Sequence, residues 1–132
     1  MLKHTVAQVL LPIGIIFTFN PLVLSAGEDQ ATEFVAFSEA ADQDCEERGG
    51  MRVFVRNLHN KQIIDLHLDR YFSGVRQGGR SMFALAPGAS QALGCSRVFD
   101  ARQNWTLVRA DLISIAKATD RYGEIIGAVA AK

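Results

Sequence analysis

The chain has 132 residues, fourteen basic and fourteen acidic side chains, two cysteines and a hydrophobic share of 48%. A length of that order holds one domain and leaves no room for a second core. The neutral total conceals a split. From Glu28 to Glu47 there are eight acids and no lysine or arginine, whereas from Arg48 onward thirteen basic residues, ten of them arginine, stand against six acids.

The start, "MLKHTVAQVLLPIGIIFTFNPLVLSAGEDQ", has a basic Lys3, an apolar stretch from Val6 to Phe19 and a small-residue exit at Ser25, Ala26 and Gly27. That layout predicts a secretory signal peptide over residues 1–26. A membrane span needs ~20 continuous apolar residues, and Asn20-Pro21 interrupts this run, so no stable membrane anchor is expected after cleavage. Residues 27–50 then form an acidic segment ending at the breaker Gly49-Gly50, and 51–132 the body of the domain. The periplasm or the extracellular space is the expected location. In such an oxidising compartment Cys45 and Cys95 pair, closing a loop whose entropy is worth about 4 kcal/mol.

Within the body, "MRVFVRNLHNKQIIDLHLDR" sets two β-patterned runs on either side of His59-Asn60-Lys61. A two-residue turn at Asn60-Lys61 predicts a hairpin with Val53 opposite Leu68 and Val55 opposite Leu66 on one face. Arg52 then meets Asp69, Phe54 meets His67 and Arg56 meets Asp65 on the other. Further on, Pro87-Gly88 suits the centre of a type II turn, with Phe83, Leu85, Leu93 and Cys95 pointing inward around it. The last third alternates through Trp105, Leu107 and Arg109, and Asp120 to Gly123 is expected to turn the chain into a final strand, Glu124 to Val129. Six or seven strands in so short a chain predict an all-β fold, a single small antiparallel β-sandwich of immunoglobulin-like type with one intramolecular disulfide.

The stretch "GVRQGGRS", Gly74 to Ser81, has the spacing of a phosphate-cradling loop with Arg80 in place of lysine. The following "MFALAPG" is too short before Pro87-Gly88 for the helix such a loop requires, so the glycines read as a hairpin tip and no nucleotide is expected. "DLHLD" places Asp65, His67 and Asp69 on one face of a strand, and with His59 they are the candidate metal ligands. They are also the carboxylates that the predicted register gives to arginine, and no cofactor is implied. Nucleophilic catalysis lacks its parts: the body has only His59 and His67 as histidine bases, and no serine in a G-x-S-x-G elbow.

Arginine beside aromatic residues is the stronger signal. Arg70, Tyr71, Phe72, Arg76 and Arg80 surround the glycine loop, and Arg102 flanks Trp105, a combination that interfaces favour. The run "LHLDRYFSGVRQGGRSMFALAPGAS", about a fifth of the chain, resembles the strand, D-x-x-x-x-G turn, strand, L-x-P-G turn pattern of small extracytoplasmic PEGA-like β domains, with Tyr71 and Phe72 where small residues are usual. That resemblance implies an envelope interaction module. The expected function is an exported, non-catalytic binding module for another protein or an envelope component, such as an accessory subunit, an inhibitor or an immunity-type protein. Two alternatives stand beside it: a small metal-dependent hydrolytic domain using Asp65, His67 and Asp69, and a binder of an anionic polymer through an arginine-rich face.

Overall fold

The computed structural model describes residues 28–129, so the expected signal peptide lies outside the described residues. A 3-10 segment, Glu28–Phe34, leads into β1 (Val35–Ala40), a short helix α1 (Gln43–Glu46) and β2 (Arg52–Asn57). Six strands follow: β3 (Ile63–Phe72), β4 (Val75–Arg76), β5 (Ser81–Leu85), β6 (Ser90–Cys95), β7 (Arg97–Val98) and β8 (Ala101–Ile113), and after them helix α2 (Ile115–Tyr122). Among the described residues no helix is long and apolar enough to cross a membrane.

The strands form two antiparallel sheets. Sheet one has the order β1-β2-β6; in sheet two β3 is central, with β4 and β5 on one side, β8 on the other and β7 beyond the start of β8. Both sheets turn one face to a common core. Val55 of β2, Ile64, Leu66 and Leu68 of β3, Leu85 of β5 and Ala110 of β8 are buried together, with Leu93 and Trp105 packed against them. Period-two alternation explains the membership, since every second residue of β3 enters this core.

The expected β2–β3 hairpin is not formed. β2 pairs with β1 and β6, β3 pairs with β4, β5 and β8, and the chain between them crosses from one sheet to the other. Val55, Leu66 and Leu68 do share an apolar interior, facing one another across the core and not edge to edge, while Val53, also buried, lies by the groove beside Trp105. The crossing is held by polar side chains. Buried Asn57 donates from Nδ2 to the Gln62 carbonyl (2.9 Å) and the Leu85 carbonyl (3.0 Å), and its Oδ1 accepts the His59 amide (2.8 Å). His59 Nδ1 accepts the amides of Lys61 (3.0 Å) and Gln62 (2.9 Å). Asn57 thereby satisfies buried and part-buried backbone groups that would otherwise lack a partner, and His59 orders the exposed turn beside it.

The Pro87-Gly88 turn is present, with the Ala89 amide donating to the Ala86 carbonyl at 3.1 Å and Gly88 at φ +70°. The expected final strand is replaced. Ser114 caps α2, its hydroxyl accepting the Lys117 amide at 3.1 Å, and Gly123 at φ +75° ends it. A serine cap, alanines within and a left-handed glycine outweigh the β-branched residues nearby. Beyond it, among the described residues, the one strand-type bridge is that of Ile126 with Leu85, in parallel, while Ile125 packs against Ile63, Ala84 and Ile113. α2 covers the outer face of sheet two, where Ala118 and Tyr122 pack with Ile63, Ala84 and Ile113.

Cys45 and Cys95 are bonded across 50 positions of sequence. In antibody-type domains the bridge joins the two sheets. Here it ties α1, which follows β1, to the end of β6, so one sheet's connection is stapled to that sheet's own edge strand. The sandwich is established without that immunoglobulin signature.

Asn57→Ala leaves the Gln62 and Leu85 carbonyls and the His59 amide without their partners. It is expected to lower unfolding free energy by about 3 kcal/mol in urea titration at unchanged m. A change below about 0.5 kcal/mol, the scale of a surface substitution, would contradict the role given to Asn57.

Candidate functional site

Asp65, His67, Asp69 and Tyr71 occupy alternate positions of β3 and so share a face, as the sequence implies, and it is the outer face of sheet two. The glycine loop shapes one end of that face. Tyr71 pairs with Arg76 in β4 and Leu68 with Ser81 in β5, so four residues, Gln77 to Arg80, stand opposite two, Asp69 and Arg70. Two residues must bulge, and Gly79 takes a left-handed φ of +78° to allow it.

The bulge turns two arginines onto one carboxylate. Arg76 donates from Nε (2.9 Å) and Nη2 (3.1 Å) to Asp69, and Arg80 does the same at 2.9 and 3.2 Å. Hydrogen bonds from Arg76 first and Arg80 second hold the Asp69 carboxyl far below the usual carboxylate range. Asp69 is almost enclosed, while the side chains of Arg76 and Arg80 are 48% and 38% exposed. Nη1 of each has no partner among the described residues.

Asp65 is answered differently. It is fully buried, and α2 brings the Arg121 guanidinium to its Oδ2 and the Tyr122 hydroxyl to its Oδ1. His67 Nε2 lies 3.3 Å from Oδ1 and 3.4 Å from the Tyr122 oxygen. Burial, and then the adjacent carboxylate, push the Tyr122 phenol up to about 12, and Asp65 raises the Arg121 guanidinium. This cluster docks α2 on the sheet.

The ion pairs expected from the hairpin register are therefore replaced by others. Asp69 takes Arg76 and Arg80, Asp65 takes Arg121, and Arg52 meets Asp42 of the acidic segment at 3.1 Å. The candidate metal ligands do not converge. His59 spends Nδ1 on two backbone amides and sets its ring edge-on against Phe34. Among the described residues no three His, Cys, Asp or Glu side chains are grouped to hold a metal ion.

Of the residues singled out for binding, Tyr71 shares the outer face with Arg76 and Arg80, and exposed Arg102 lies on β8 beside this end of β3. Arg70, Phe72 and Trp105 face the other way. Arg70 donates to Gln103 Oε1 at 2.8 Å, and the Trp105 ring sits so close to Gly94 of β6 that an added Cβ there would come within 2.9 Å of it. Sequence reasoning missed Arg121 and Tyr122, whose helical placement the strand reading concealed, and Phe37 and Glu39, which line an open groove beside Trp105. No family model, curated protein or solved structure matches the chain.

Tyr122 gives a pH test. The unfolded phenol ionises near pH 10, while the folded one holds its proton to about 12. The stability it contributes is complete below pH 10 and is lost as pH rises between those values. Tyr122→Phe is expected to flatten that decline in denaturant titrations; parallel pH profiles for variant and wild type would contradict the assignment.

Proposed function

We propose that the chain is an exported, non-catalytic binding module that recognises another protein or an envelope component through an acidic or otherwise anionic group. The observation that carries this reading is the Arg76–Asp69–Arg80 clamp. Two guanidiniums side by side repel unless a counter-charge lies between them, and Asp69 supplies it from a nearly enclosed position. One net positive charge remains, on planar groups already fixed in orientation. A carboxylate or phosphate arriving at them meets donors whose side-chain entropy has largely been lost on folding. Tyr71 and Arg102 at the same end add the residue types that dominate interfaces.

The export part of this reading rests on the signal-peptide pattern of residues 1–26 and is supported by the Cys45–Cys95 bridge, a bond characteristic of oxidising compartments. Its non-catalytic part is supported by the pairing of Asp65 and Asp69 with cations, which leaves neither carboxylate placed as a free base.

The test is a pull-down from a periplasmic extract, comparing wild type with Arg76→Gln/Arg80→Gln at low and high salt. A partner retained by wild type is expected to be lost at least tenfold from the variant and to elute as salt rises. Identical retention would refute the clamp as the recognition element. Stoichiometric zinc in the purified protein, lost on His67→Ala, would refute the non-catalytic reading in favour of the metal-dependent one.

A further inference from the structure

The open side of the sandwich, between β1 and β8, lies away from the clamp and carries an inference of its own. β8 is paired by β3 along Gln103 to Ile113, but on its other side β7 reaches only Ala101 and Arg102. β1 pairs with β2 throughout its length and, among the described residues, with no strand on its other side. Between these edges runs a groove of about 470 Å³ whose lining includes Phe37 and Glu39 of β1, Val53 of β2 and Gln103 and Trp105 of β8.

The direction of the β8 main chain can be read from its ends. The Arg102 carbonyl accepts the Ser73 amide on the β3 side, and the Gln103 amide points the opposite way, to the Ser96 carbonyl, each at 2.8 Å. Main-chain groups alternate sides along a strand, so the amides and carbonyls of Trp105 and Leu107 point away from β3. Among the described residues no main-chain group outside β3 meets them. The 3-10 segment Glu28–Phe34 packs against β8 and sets Ala31 and Phe34 in the core. The edge open to the groove is therefore short, the stretch Gln103 to Trp105 of β8.

Glu39 decides what fits. It pairs with Val53, a buried residue of the inner face, so its side chain is directed into the groove, and it has no partner among the described residues. Phe37, 41% exposed, lies two positions earlier on the same face. An inward charge on an edge strand repels a purely apolar strand. A strand bearing a cation at the facing position cancels that penalty, which makes the charge selective as well as protective.

We propose that this groove takes an extended segment of a partner polypeptide as an added strand on β8, with an apolar side chain between Phe37 and Trp105 and a lysine or arginine two positions along facing Glu39. Main-chain bonds to the outward edge at Trp105 supply the affinity and the alternate side chains supply the specificity.

Trp105 is the single tryptophan of the chain, so its fluorescence reports on the groove directly. The probe is a blocked seven-residue peptide alternating serine with valine, lysine and valine. Two counterparts accompany it: one with glutamate for lysine, and one with N-methylated amides on the edge that would meet β8. Wild type is expected to show a saturable change in Trp105 emission with the lysine peptide and at least tenfold weaker binding of both counterparts. Glu39→Lys is expected to reverse the order of the lysine and glutamate peptides, and Glu39→Gln, which keeps the shape, to bring them within about threefold of each other. Equal binding of the two by wild type, an unchanged order in Glu39→Lys, full binding of the N-methylated peptide, or no response at millimolar peptide would each overturn the proposal.

Discussion

Two carboxylates on β3 must be covered without being left unpaired, and much of the outer face of sheet two is arranged around that constraint. β3 is buried on both sides, its even-numbered leucines in the common core and Asp65 and Asp69 on the face that α2 and the β4–β5 bulge partly cover. An uncompensated buried carboxylate costs several kcal/mol. At Asp65 the compensation comes from α2, which reaches down with Arg121 and Tyr122. At Asp69 it comes from a two-residue bulge that brings Arg80 alongside Arg76. The position of α2, the glycines of the loop and the exposed arginine pair are thus linked consequences of two aspartates in one strand.

The same constraint explains what could be read in the sequence. Alternation identifies which side chains face inward, and Val53, Val55, Leu66 and Leu68 do so. It does not identify a strand's neighbour, because two apolar faces are equally served by lying edge to edge or across a core. Charge matching carries the same degeneracy: Arg52 and Arg56 were as suitable for Asp69 and Asp65 as the arginines that hold them. What breaks the tie is Asn57, whose side chain bonds to both the crossing and β5, a role that local pattern does not encode. Features with local causes were legible. The Pro87-Gly88 turn depends on two residues and the disulfide on the two cysteines the chain contains. α2 was legible too, in Ser114 and Gly123, but its caps were outweighed by the β-branched run before them.

The split between an acidic segment and a basic body also acquires a structural meaning. The acids are not a detached leader. Their segment supplies β1 to sheet one and Cys45 to the bridge, and Asp42 bonds both the Cys45 amide and Arg52. Glu39 belongs to this segment and stands in the groove, whereas Arg76 and Arg80 emerge at the hairpin end of sheet two. An acidic side chain and an arginine pair are therefore held on different parts of one small domain, which suits recognition of partners by charge.

A domain with open strand edges risks pairing with copies of itself, and the edges bear devices that limit this. The register between β3 and β8 shifts at Val108, breaking the regularity of β8, and the 3-10 segment lies against that strand. Glu39 adds a charge directed inward. Such features are negative design when nothing is meant to bind. They do not, however, cover the stretch around Trp105, where amide and carbonyl groups point outward beside an apolar wall. A fold that needed only protection would be better served by a second charge at Phe37 than by an exposed aromatic ring. Phe37 and Glu39 together make a surface that disfavours an indiscriminate strand and suits one with apolar and basic residues in alternation.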